Sequence, residues 1–269
     1  MSGGWIKMKK ITVIIATHKE YQMPKDNLYL PVQVGAEGKK DLGYTRDNTG
    51  DNISTKNPFF CELTGLYWAW KNLDYDYLGL VHYRRHFGLK KKKYKKIEDT
   101  LDHVLTRKEA KELLKDCDVI LPKKRKYYIE NLYHHYKSTM HVETLDETRK
   151  ILEEKYPEYL PEFDKLHKRT SMHAFNMFIM KKEILDGYCT WLFDILFELE
   201  KRIDTSKYDA FHARFYGRIS ERLLDVYLNT NGIKYKEIPF IEIEHINWIK
   251  KGFSFLLAKF FGKKYGKSF

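Results

Sequence analysis

The segment YLGLVHYRR, Tyr77 to Arg85, changes from apolar to cationic within a few residues. Leu78, Leu80 and Val81 suit the interior of a sheet, whereas His82, Arg84 and Arg85 are costly to bury without partners. The segment therefore predicts a buried strand that ends in a cleft. In open α/β sheets, ligands bind just beyond the carboxyl ends of strands. Two guanidiniums at such a point, each a planar fork of donors, suit a doubly charged oxyanion such as a diphosphate. The competing reading is a surface ion-pair site. In an extended chain His82 and Arg84 alternate with Tyr83 and Arg85, which predicts that one arginine faces a given pocket and the other braces a neighbouring loop.

Upstream, the β-branched run Ile11 to Ala16 reads as a first buried strand, and Thr17 and His18 then lie at its carboxyl edge. Residues 21–58 are interrupted by Gly35, Gly38, Gly43 and Gly50 and read mostly as loop, with one short strand around 32–34. A loop of that length inside a compact domain points to function. Phe59 to Asn72 carries Leu63, Leu66, Tyr67 and Trp70 at helical spacing and delivers the chain to the strand at 77–81. Downstream, helices are predicted at 107–115, 143–155, 158–168, 183–202 and 211–229, with strands at 119–121, 175–180 and 234–238. Alternating strands and helices predict an α/β protein with a single mixed, mainly parallel sheet flanked by helices.

A chain of 269 residues accommodates one large domain, placed at 9–240, with a tail at 241–269. No window approaches the ~20 continuous apolar residues of a membrane span. The short stretch ITVIIA runs straight into Thr17-His18-Lys19-Glu20, unlike a signal peptide. Cys61, Cys117 and Cys189 are odd in number and far apart, which argues against a disulfide framework or a cysteine zinc site and makes a reducing, cytoplasmic setting the default. The net charge of +12 is concentrated at 89–96, 123–126 and 246–269, surfaces that attract polyanions. On a helix, Ile246, Ile249, Phe253, Leu256, Leu257 and Phe260 share one face while Lys251, Lys259 and Lys263 lie off it. With Trp248 and Tyr265 at headgroup level, 246–269 reads as a basic amphipathic helix on an anionic membrane, in preference to a helix packed on its own domain.

Further side chains are candidates for chemistry. Asp51 and Asn52 could read a ribose or sugar hydroxyl, or satisfy turns of their own backbone. Glu62, in a first helical turn beside Phe59, Phe60 and Leu63, is a candidate base, against the alternative of a helix-dipole partner. Asn176 is a polar residue within a strand and must find partners, either a neighbouring loop or a sugar hydroxyl. Arg218 and Glu221 are three apart on a helix, so they form a surface ion pair or, if that turn meets the cleft, supply a further cation and a second candidate base. His134 and His141 lack a third ligand at a spacing that completes a metal site, and an aromatic acceptor-binding wall or ordinary surface fits YYIENLYHHYKSTMH better.

The segments at 11–24, 49–72, 77–87, 176–182, 188–200 and 217–223, the last reading GRISERL, together resemble a family of bacterial capsular and exopolysaccharide biosynthesis proteins. That family is catalogued as a domain of unknown function with the type A glycosyltransferase fold, and some members are described as galactofuranosyltransferases. The resemblance covers roughly residues 9 to 240. It implies transfer of a sugar from a nucleotide-diphosphate donor to a lipid-linked saccharide acceptor; with the separate amphipathic reading of 246–269, this is expected at the cytoplasmic face of the cell membrane, the protein held there peripherally. Thr17, His18, Asp51, Asn52 and Asn176 would then contact the nucleotide or sugar, and His82, Arg84, Arg85 and Arg218 the donor diphosphate. Glu62 or Glu221 would be the base of an inverting reaction. Many enzymes of that fold hold a divalent metal, manganese or magnesium, with an Asp-x-Asp after a central strand. Here that place reads His82-Tyr83-Arg84-Arg85, and cations can neutralise a leaving diphosphate directly, so the motif does not require the metal. Asp74 and Asp76, just before the strand, leave room for a metal-dependent version. The competing functions are a basic nucleic-acid-binding protein, which leaves the strand-end motifs unexplained, and a scaffold of a polysaccharide assembly complex.

Overall fold

The computed structural model describes residues 9–90 and 96–244, so the lysines at 91–95 and the amphipathic segment at 246–269 lie outside the described residues. The described residues form strands β1 (Ile11–Thr17), β2 (Tyr29–Gln33), β3 (Thr45–Arg46), β4 (Tyr77–His82), β5 (Arg85–Phe87), β6 (Val119–Pro122), β7 (Arg125–Lys126), β8 (Ser171–Met172), β9 (Phe178–Lys181), β10 (Lys236–Ile238) and β11 (Phe240–Glu242). The helices are α1 (Asn57–Phe60), α2 (Leu63–Asn72), α3 (Ile97–Leu101), α4 (Arg107–Leu113), α5 (Leu132–Thr139), α6 (Val142–Lys155), α7 (Leu160–Lys168), α8 (Lys182–Arg202) and α9 (Phe215–Thr230).

The main sheet runs β10-β6-β9-β4-β1-β2-β3. Strands β2 and β4 flank β1 in parallel, β10 is parallel to β6, and β9 runs antiparallel to both β4 and β6. This is the expected mixed, mainly parallel α/β sheet. Strands β1 and β4 are buried on both faces, as their near-continuous apolar runs require. One face packs Ile14, Leu78, Leu80 and Phe178 against α2, α6, α8 and α9; the other packs Ile11, Val13, Ile15 and Val81 against the α3–α4 side. Gly79 lets β9 approach β4 closely, since a Cβ there would lie 2.8 Å from the Phe178 carbonyl oxygen.

The long loop from 34 to 57 is ordered around buried Asp47. Its carboxylate accepts the N–H groups of Gly35 and Ala36 at 2.8 and 2.9 Å and the hydroxyls of Ser54 and Thr64 at 2.5 and 2.6 Å. The loop is thereby tied to α2 and to the end of β2.

Three local departures from the sequence reading shape the cleft. The helix expected from 59 is broken at Cys61, whose φ of 53° turns the chain between α1 and α2. The strand expected at 175–180 begins at Phe178, because Phe175 and Asn176 adopt left-handed φ values of 74° and 51°. Most important, the chain reverses after β4: Tyr83 and Arg84 form the turn, and β5 returns antiparallel with His82 paired to Arg85. β11 then pairs with β5, which places Phe240–Glu242 in the sheet.

Candidate active site

Beyond the carboxyl end of β4 lies a cavity of about 210 Å³, lined from four directions. The β4–β5 hairpin supplies His82, Arg84 and Arg85; the α1–α2 corner supplies Cys61 and Glu62. From β7 and α5 come Arg125, Tyr127 and His135, and from the start of α9 come Arg214, Arg218, Glu221 and Arg222.

The hairpin overturns the alternation argument. Paired residues of a tight hairpin share a face, so His82 and Arg85 both reach the cavity, and Arg84 reaches it from the turn. Both arginines therefore line one pocket. They are held differently. Arg84 Nη1 donates to Glu244 at 3.3 Å and stays about a third exposed, while Arg85 Nε donates to Glu242 at 3.5 Å with its side chain 12% exposed and its guanidinium 4.3 Å from the Phe175 ring centroid. Burial lowers the Arg85 pKa, which Glu242 partly offsets. His82 Nε2 lies 2.5 Å from the Phe175 carbonyl oxygen, and donation there fixes the left-handed turn at Phe175.

That turn positions Asn176, which is buried in a loop rather than in a strand. Its Nδ2 donates to Glu62 Oε1 at 2.7 Å and to the Gly217 carbonyl at 3.1 Å. Asn176 thus orients Glu62 from behind. Beside Glu62, Arg214 Nε donates to Cys61 Sγ at 2.9 Å, and burial pushes the Cys61 thiol up to about 11, which keeps it a neutral neighbour. Arg218 and Glu221 both line the cavity, and no ion pair joins them among the described residues.

Of the remaining candidates, His18 is exposed on the β1 flank of the cleft with its ring edge-on to Tyr83 at 5.4 Å. Desolvation, then Arg214, Lys19 and Arg84, lower its pKa. Thr17 is buried behind it, its hydroxyl donating to the Lys19 carbonyl at 2.7 Å. Asp51 and Asn52 are not brought to the cavity. Asp51 is bonded to the side chains of Tyr67 and Asn72 of α2, and Asn52 accepts the Ser54 N–H within its own turn. His134 bonds Asn131, and His141 stacks on Tyr208 at 4.3 Å, so these two do not converge. Sequence reasoning missed Arg125, Arg214 and Arg222. Arg125 was hidden in the lysine-rich run at 123–126, and the α9 arginines gain meaning only once the helix start faces β4.

A divalent metal fits these residues poorly. Six arginines and two glutamates line the cavity, a donor set unlike the oxygen ligands such ions take. No group of three His, Cys, Asp or Glu side chains converges among the described residues. Asp74 and Asp76 lie before β4, at the opposite end from the cleft, where they bind the Lys10 ammonium at 3.1 Å and the Lys10 N–H at 2.6 Å.

Comparison with known proteins agrees with this architecture. The model of a family described as Domain of unknown function (DUF4422) matches residues 12–232. An apo structure of the WbbM bifunctional glycosyltransferase superposes with a TM-score of 0.80 at 31% identity, covering 88% of this chain and 46% of that one. This chain spans under half the length of that protein. No curated protein matches.

Proposed function

The chain belongs to the DUF4422 family, and from that premise we propose that it is a nucleotide-sugar-dependent glycosyltransferase of bacterial polysaccharide biosynthesis. The observation that carries this reading is the convergence, beyond a parallel strand end, of the Arg84–Arg85 hairpin with a carboxylate fixed by Asn176. The donor diphosphate lies against His82, Arg84, Arg85 and Arg218, and its nucleoside extends along the β1 edge past Thr17 and His18. An acceptor hydroxyl attacks the anomeric carbon as the bond from that carbon to the diphosphate oxygen breaks. The hydroxyl proton passes to Glu62, and the nucleoside diphosphate leaves with its electron pair into the guanidinium field. Glu62 is preferred to Glu221 because Asn176 holds one of its oxygens and leaves the other for the proton.

Calorimetry with a panel of nucleotide diphosphate sugars, UDP-galactofuranose first, tests the reading. We expect saturable binding of at least one donor, unchanged by manganese, and slow hydrolysis in the absence of acceptor. Neither binding nor turnover across the panel would refute it.

The acceptor in this reading is a lipid-linked saccharide, which places the enzyme peripherally on the inner face of the cell membrane. No described helix is long and apolar enough to cross a membrane. Deleting 246–269 is expected to release the protein from anionic vesicles while leaving UDP binding intact. Undiminished co-sedimentation of the truncated protein would assign membrane contact elsewhere.

A further inference from the structure

Arg222 is a buried guanidinium with no salt-bridge partner among the described residues. The residue is 4% exposed, and its Nη1 donates to the Arg218 carbonyl, one turn earlier on α9, at 2.8 Å. Its Nε has no partner, and no carboxylate of the described residues pairs with it. The guanidinium rests on the Tyr136 ring at 4.5 Å, and Glu221, next in the chain, lines the cavity without ion-pairing to it. Burying a guanidinium without a carboxylate is strongly unfavourable unless something completes it. Arg222 nonetheless reaches the cavity wall.

A second cation lines the same cavity. The Arg125 guanidinium lies over the rings of Tyr127 at 5.0 Å and Phe175 at 6.0 Å, and makes no side-chain hydrogen bond or ion pair among the described residues. The Tyr127 ring also packs against His135 at 4.5 Å, and its backbone N–H is fixed to the Thr170 carbonyl at 2.7 Å. Tyr127 is thus a rigid centre around which Arg125 and His135 are arranged, on the α5–α9 side of the cavity. The Arg84–Arg85 hairpin enters from the sheet side.

We propose that Arg125 and Arg222 form an anion subsite separate from the diphosphate clamp, taking an acidic group of the acceptor, a phosphate or a carboxylate. The assignment rests on the transferase reading for the word acceptor, but the anion site itself does not. A guanidinium pair suits either oxyanion. Two sources are chemically equivalent at this point. One is a lipid-borne phosphate, for which the adjoining loop offers exposed Tyr128 (88%) and Ile129 (58%) beside exposed Lys126. The other is an acidic sugar.

The test titrates inorganic phosphate and, separately, sodium glucuronate into the full chain saturated with UDP, followed by calorimetry. We expect one of the two to bind alongside UDP, and Arg222→Met and Arg125→Gln each to weaken it about tenfold or more, with UDP affinity within about twofold of the parent. Preference for phosphate assigns the lipid-borne source; preference for glucuronate assigns an acidic sugar. Binding of neither anion, competition with UDP, or affinity unmoved by the substitutions overturns the proposal. If Arg222→Met does not fold, Arg125→Gln, at a partly exposed position, decides alone. Anion binding that depends on these arginines in a protein that binds no nucleotide would retain the subsite and remove the transferase reading.

Discussion

Glu62→Gln is expected to lower kcat for sugar transfer by about 10²- to 10⁴-fold with little change in donor KM, the range typical of losing a positioned general base. The substitution is nearly isosteric, and the Gln carbonyl can still accept from Asn176 Nδ2, now 2.7 Å from Glu62 Oε1. What is removed is the capacity to take a proton. Steady-state kinetics with saturating donor and varied acceptor measure the loss, and calorimetry with UDP shows that the cavity is intact. Glu221→Gln provides the contrast, because Glu221 has no side chain holding its carboxylate in place among the described residues. Its loss should change KM more than kcat. A Glu62→Gln enzyme within about tenfold of the parent, or a larger kcat loss in Glu221→Gln, would move the base away from Glu62. Asn176→Ala should give a smaller version of the Glu62 effect, since it frees the carboxylate without removing it.

The elements that could be read from the sequence are those whose signal is local. Strands β1 and β4 announce themselves by continuous apolar runs, and α8 by helical spacing sustained over 21 residues. The cationic character of the β4 end, where His82, Arg84 and Arg85 line the cavity, was equally legible, because cations placed directly after a buried strand must meet either water or an anion at the sheet edge. The hairpin at Tyr83-Arg84 was not. It is a two-residue turn without glycine or asparagine, stabilised by β11 pairing with β5 from more than 150 residues away. No short-range pattern encodes that contact. The same holds for Asn176: a left-handed asparagine within an apolar run reads as part of the strand, and only its bond to Glu62, 114 residues distant, reveals why the strand starts late. Asp51 and Asn52 lie away from the cavity for the opposite reason. Asn52 bonds within its own turn and Asp51 is tied to Tyr67 and Asn72 of α2, whereas the buried acid that organises the loop is Asp47. Cavity-lining residues were thus legible where chemistry coincided with a strand end, and missed where a helix start was brought in by tertiary packing.

The second large effect is expected at Arg85. Arg85→Gln should reduce kcat/KM by about 10²- to 10³-fold, comparable to removing one preorganised donor from a developing negative charge. Arg84→Gln should cost markedly less. Both guanidiniums line the cavity, so the difference comes from their surroundings. Arg84 sits in the turn, about a third exposed, where water screens its field and Glu244 shares its charge. Arg85 is held in the β5 strand between its His82 and Glu242 pairings, is 12% exposed and packs on Phe175, so little solvent reorganises around it when charge develops on the leaving diphosphate. A buried, prepositioned cation acts more strongly on the transition state than on the bound donor, and the loss should fall more on kcat than on UDP affinity. Kinetics of both variants against the same donor decide the matter. An equal or larger loss in Arg84→Gln, or an Arg85→Gln enzyme that loses UDP affinity in proportion to its whole rate deficit, would show that the hairpin binds the donor uniformly and that leaving-group stabilisation comes from Arg214 or Arg218 on the opposite wall.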